Sequence, residues 1–144
     1  MVKVKLVNKS NYPAPEYATP GSSGVDLYAD IDHDMVVRNG EISLVNTGIC
    51  IKLPQGYEAQ VRARSGLSLK HGIFLVNGIG TIDSDYTGEI KVILSTAKKE
   101  PFTVKPGMKI AQLIITRYET VEFEEVDSLE PTERGDGGFG HTGV

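Results

Sequence analysis

Three segments of this chain join charged or hydroxyl side chains to glycines, a combination that lets backbone and side chain approach a polar ligand together. In Arg64-Ser-Gly-Leu-Ser68 a guanidinium fork, a hydroxyl and a glycine stand at the start of a short helical pattern, which suits an anion site. The same string also reads as a serine-capped helical turn beside a surface arginine. In Gly80-Thr-Ile-Asp-Ser-Asp-Tyr-Thr-Gly-Glu89 the carboxylates of Asp83 and Asp85 fall on one side of a strand-like run that leads into a turn. Carboxylates are ionised at neutral pH and can take a proton from water or help hold a cation, whereas an aspartate-rich turn needs neither role. The third segment is Arg134-Gly-Asp-Gly-Gly-Phe-Gly-His-Thr-Gly143, whose amides could cradle phosphate while Phe139 stacks on a ring. It lacks the lysine of a Walker loop and follows no parallel-sheet pattern, which excludes a P-loop nucleotidase.

Other reactive residue types form no pattern. His33, His71 and His141 are far apart and have no zinc-ligand spacing. No Gly-x-Ser-x-Gly elbow occurs. The single cysteine, Cys50, stands between Ile49 and Ile51, which excludes an intrachain disulfide framework and reads as a packing residue in a reducing compartment.

The elements that must position these segments are strands. Tyr57-Glu-Ala-Gln-Val-Arg-Ala-Arg64 swaps apolar and polar residues at every step, as on a half-buried strand. Further strands are predicted over Val2–Val7, Met35–Val37, Ile42–Val45, Ile49–Leu53, Phe74–Val76, Gly88–Leu94, Phe102–Val104, Ile110–Thr116 and Val121–Val126. Turn residues such as Arg38-Asn-Gly40, Pro54-Gln-Gly56 and Lys105-Pro-Gly107 separate them. Only Ser65–Lys70 suits a turn or two of helix. Many short strands at this spacing predict an all-β sandwich, barrel or jelly roll. Glu122, Glu124 and Glu125 read as a solvated edge.

With 144 residues, 15 Lys+Arg, 19 Asp+Glu, a formal charge of -4 and 40% hydrophobic residues, the chain predicts one domain with its own core. No apolar run reaches membrane-span length, and a pI near 5.4 offers no general attraction for nucleic acid. The alternating start Met-Val-Lys-Val-Lys predicts no secretory signal, so the expected location is cytoplasmic. Of the 16 glycines, five lie between Gly135 and Gly143, so the expected division is a domain over 1–127 and a C-terminal arm over 128–144.

Five segments then occur in register: Gly24-Val-Asp-Leu-Tyr-Ala29, Arg64-Ser-Gly-Leu67, Gly80 to Glu89, Gly107-Met-Lys-Ile-Ala-Gln-Leu113 and Arg134 to Gly143. Together they closely resemble the five motifs of the trimeric deoxyuridine triphosphatases, over nearly the whole chain. One departure is Ala63, where many members have proline. The resemblance implies a β jelly roll, a homotrimer with active sites shared between chains, and hydrolysis of dUTP to dUMP and pyrophosphate with magnesium.

By the same resemblance Asp83 would hold and deprotonate the attacking water, Gln112 would lie near the α-phosphate, and Arg64, Ser65 and Gly66 would orient the phosphates. Asp26 would touch magnesium through water. Asn77, Gly80, Thr81 and Ile82 belong to a β-hairpin expected to read uracil, Tyr86 would pack on the deoxyribose, and Lys91 would line the same pocket. Arg134, Phe139, Gly140, His141 and Thr142 would close over the nucleotide from the arm. Two alternatives are a dCTP deaminase of the same fold, against which the complete fifth motif and the intact Asp83–Tyr86 run argue, and a nucleotide-sensing interaction protein. No nucleic-acid or membrane partner is expected.

Overall fold

The computed structural model describes residues 1–139. The strands are β1 (Lys5–Asn8), β2 (Gly24–Tyr28), β3 (Met35–Val37), β4 (Ser43–Lys52), β5 (Tyr57–Arg62), β6 (Ile73–Leu75), β7 (Gly80–Ile82), β8 (Glu89–Thr96), β9 (Phe102–Val104) and β10 (Lys109–Arg117). One helix, α1 (Ser65–His71), lies between β5 and β6. Two four-stranded antiparallel sheets, ordered β1-β4-β8-β6 and β2-β10-β5-β7, face each other, and the β3-β9 pair stands beside them. This is the expected all-β jelly-roll architecture.

Alternation builds the core. Val45, Ile51, Ile90, Val92, Leu94 and Ile73 of the first sheet meet Leu27, Ala59, Val61, Ile110 and Leu113 of the second, all nearly solvent-free. Cys50 is buried, as expected of a packing residue. The outer face of the first sheet is also apolar: Leu44 pairs with Ile93, Val76 N donates to Ile93 O, and Leu44, Phe74 and Val76 are exposed.

Four expectations change. The segments Ile42–Val45 and Ile49–Leu53 are one strand, β4, broken by a bulge between Asn46 and Cys50. The bulge is held from β8: Glu89 Oε1 accepts from Gly48 N at 2.9 Å and Thr47 N at 3.2 Å. A charged acceptor here satisfies two amides that the ladder leaves over, so Glu89→Ala is expected to destabilise the protein by about 2–4 kcal/mol. Urea unfolding at fixed protein concentration should show the lower midpoint, with Glu89→Gln recovering most of it. Second, Gly24–Tyr28 is a strand although no alternation marked it, while the strand-like run from Gly80 is a strand only as far as Ile82.

Third, Val121–Val126 forms no strand; β10 ends at Arg117, and 118–136 stay exposed, with Phe123 at 92%. The alternation is present, but among the described residues no strand pairs with it. The boundary expected at 127 falls inside this stretch. Finally, Asn77 does not enter a hairpin, because β6 pairs with β8 and β7 with β5, in different sheets. Gly78, at φ +70°, donates to Leu75 O and turns the chain from one sheet to the other.

Candidate functional site

The Arg64 segment follows β5, whose ladder with β10 carries Gln112 opposite Arg62, while Gln112 on its other side faces Asp26 of β2. Leu27 and Leu113 point into the core, so Asp26 and Gln112 share the outer face. Gln112 Nε2 donates to Ala63 O at 2.9 Å. A backbone oxygen is the acceptor, so alanine in place of proline costs this bond nothing. A Cβ at position 24 would stand 2.7 Å from Gln112 Oε1, so the amide keeps this rotamer only while 24 lacks a side chain.

Arg64 is the N-cap residue of α1 in extended conformation, and its side chain makes no capping bond. Ser65 is the first helical residue, so the serine-cap reading does not hold. The guanidinium turns to Asp26 instead, with Nε 3.0 Å from Oδ1, and Nη1 donates to Lys109 O at 3.1 Å. Lys109 Nζ holds the other carboxylate oxygen, Oδ2, at 2.9 Å. Hydrogen bonding and charge attraction from Asp26 raise the Lys109 pKa above the ordinary lysine value. A cavity of about 480 Å³ opens over this group, lined by Asp26, Arg64, Ser65, Gly66, Leu67, Lys70, His71 and Gln112. A Cβ at Gly66 would meet nothing within 4 Å, so packing does not demand that glycine; it leaves the backbone bare toward the cavity.

The Gly80–Glu89 segment lies elsewhere. Strand β7 stops at Ile82, and Asp83 and Asp85 sit in a turn closed by Tyr86 N donating to Asp83 O at 3.2 Å, not on one face of a strand. Thr81, Ile82, Asp83, Tyr86 and Lys91 line a cavity of about 240 Å³ with Leu44, Glu89, Ile90 and Ile93. Tyr86 is held at the hydroxyl end of its ring: the hydroxyl donates to Glu89 O at 2.9 Å, and a Cβ on Gly88 would stand 2.6 Å from the ring carbon Cζ that carries it. Gly80 is buried against Val61, with the Asn77 amide beside it. Neither Asn77 nor Gly80 lines the cavity.

Register sets the separation of these groups. In β5, Ala59 faces Ile82 and Val61 faces Gly80, so Asp83, one step past Ile82, stands near the Tyr57 end of the strand and Arg64 lies beyond the other end. At the rise of an extended chain they are roughly 20 Å apart. In the arm, Arg134 Nε donates locally to Gly137 O at 2.9 Å and Phe139 is fully exposed; neither lines these cavities. Gly140, His141 and Thr142 lie outside the described residues.

The residues that alternation could not reveal are Lys70 and His71, brought by the short helix, Lys109, brought by strand pairing, and Gly88, which meets Tyr86 within the turn. Lys109 and Gly88 were visible as members of the fourth and third segments, without a role.

A jelly-roll domain with a cationic cleft at one end of a strand and an acidic turn at the other is an all-β domain that handles a charged ligand from its loops. The dUTPase family model matches residues 10–143, and the chain belongs to that family. It is 54% identical over 142 residues, 99% of each chain, to the deoxyuridine 5'-triphosphate nucleotidohydrolase of Finegoldia magna. The Staphylococcus bacteriophage 80alpha dUTPase with dUpNHpp is 25% identical, with TM-score 0.82 and 99% of both chains covered. A dUTPase variant of phage phi11 of S. aureus, described for its coordination of a structural Mg(II) ion, is 20% identical, with TM-score 0.77 over 88% of this chain and 97% of its own.

Proposed function

We propose that this protein hydrolyses dUTP to dUMP and pyrophosphate by attack of water on the α-phosphorus, in active sites assembled from the chains of a homotrimer. The observation that carries the reading is the Arg64 guanidinium, pinned by Asp26 over a cavity that Ser65, Gly66 and Gln112 also line. These groups offer a fixed cation and hydrogen-bond donors for a phosphate chain. Asp83, exposed at the end of β7, is the base that holds and deprotonates the water. Its distance from Arg64 within one chain supports a site in which a neighbour supplies the other half. The apolar outer face of Leu44, Phe74, Val76 and Ile93 is the kind of surface such an assembly buries.

Magnesium suits this donor set as a phosphate-borne ion. Among the described residues no group of three His, Cys, Asp or Glu could hold it, and both Asp26 oxygens already accept from a cation. Each oxygen keeps a second lone pair for a water, so Asp26 would hold the ion through water. Magnesium held there would supply neutralisation of the charge on the departing pyrophosphate.

Uracil is read by the backbone around Gly80–Ile82 and by the Asn77 amide, and cytosine would leave donors and acceptors unpaired at about 1–3 kcal/mol each. Lys91 lines the nucleoside side of the cavity with Tyr86. Arg134 adds charge at the far phosphate and the arm beyond it closes over the nucleotide, Phe139 on the base. The setting is a cytoplasmic one, which suits the free thiol of Cys50.

Pyrophosphate release from dUTP, UTP, dTTP and dCTP, with and without magnesium, tests the reading. Activity on dUTP alone, dependent on magnesium, is expected; ammonia release from dCTP would replace it with a deaminase. Because Tyr86 is assigned to the sugar, Tyr86→Ala should lower the kcat/KM ratio of dUTP over UTP by about tenfold or more, and the ratio of dUTP over dCTP much less. The reverse pattern would move Tyr86 to the base.

A further inference from the structure

Lys109 does not line the phosphate cavity, yet it closes a ring around the residue that does. Its Nζ holds Asp26 Oδ2, Asp26 Oδ1 holds Arg64 Nε, and Arg64 Nη1 donates back to the Lys109 carbonyl. The guanidinium is thereby fixed at two of its three nitrogens. Charge follows the same ring: Asp26 and Arg64 alone sum to zero, and Lys109 makes the ring net positive beside a cavity that Lys70 also lines.

A backbone irregularity aims this lysine. Gln112 faces Asp26 on the outer side, so strict alternation would turn Lys109 to the core. The register instead shifts between Lys109 and Ala111, and both Ile110 and Ala111 are buried. This bulge puts Lys109 opposite Tyr28, on the same face as Asp26, with Nζ 5.7 Å from the Tyr28 ring centre.

We propose that Lys109 is a positioning residue for polyphosphate binding: its ammonium, aimed by the β10 bulge, locks Asp26 so that Arg64 is held ready and the cleft keeps its positive charge. The inference rests on the reading of Arg64 as a phosphate ligand and deepens it.

The test uses the full chain, with dUTP kinetics, binding of dUpNHpp and inhibition by inorganic pyrophosphate. Lys109→Met is expected to raise KM, the dUpNHpp Kd and the pyrophosphate inhibition constant together, by about fivefold, with kcat changed less than about twofold. Lys109→Arg should restore all three to within about twofold of the parent protein. The preference for dUTP over dCTP should not move. Asp26→Asn should weaken pyrophosphate inhibition measured without magnesium likewise, and adding Lys109→Met to it should then cost less than about twofold more, since without the metal both act through Arg64.

Unchanged binding constants in Lys109→Met, or effects of the Asp26 and Lys109 changes that multiply, would overturn the proposal. Arg64→Ala separates it from the reading beneath it. If Arg64→Ala weakens pyrophosphate inhibition while Lys109→Met does not, only the role of Lys109 falls. If Arg64→Ala leaves inhibition intact, the phosphate reading falls and takes this inference with it.

Discussion

Asp83→Asn is expected to lower kcat for dUTP by about 10²–10⁴-fold while dUpNHpp still binds within about tenfold of the parent protein. The amide matches the carboxylate in shape, and the turn that presents it is closed by backbone atoms, through Tyr86 N and Asp83 O, which the substitution leaves alone. Tyr86 keeps its bond to Glu89 O, so the nucleoside cavity keeps its wall. What is lost is the ability to take a proton from water. Turnover by pyrophosphate release and affinity by titration separate the two; near-parental turnover would remove Asp83 from the chemistry.

Removing the chain after Glu133 should have an effect of similar size on turnover and almost none on stability. The deleted part contains Arg134 and Phe139, whose charge and ring are assigned to the bound nucleotide, and loss of one such preorganised group lowers rates by about 10²–10³-fold. Within the described residues Arg134 bonds only to Gly137, and nothing from 118 onward enters a sheet. The urea midpoint and the oligomeric state of the truncated chain should therefore match those of the full one. A truncated protein with full activity, or one that no longer assembles, would contradict the assignment.

Strands were legible where one face is buried and the other wet. Tyr57–Arg62 shows this pattern because Ala59 and Val61 enter the core while Gln60 does not. Val121–Val126 shows it too and is no strand, because alternation states what a segment offers and a ladder needs a partner. The β4 bulge was illegible for a related reason: its amides are satisfied by Glu89, a residue far along the chain. The Arg64, Asp83 and Gln112 segments stood out by residue type, and family resemblance gave them roles. Their separation along β5 and the Asp26–Arg64–Lys109 ring depend on strand register, which no local pattern encodes.

The contact between Gly24 and Gln112 limits how this protein can drift. Gly24 takes part in no chemistry, but a methyl group there would occupy the space of the glutamine oxygen. Mutational neighbours of a tight contact usually escape by compensation, one side growing as the other shrinks. Here that route is closed. A residue at 112 short enough to admit a side chain at 24 would no longer reach Ala63 O, and the amide would leave the cleft. Two positions in different segments, one of them chemically silent, are therefore coupled: a side chain at 24 requires the glutamine amide to leave the place from which it lines the cleft.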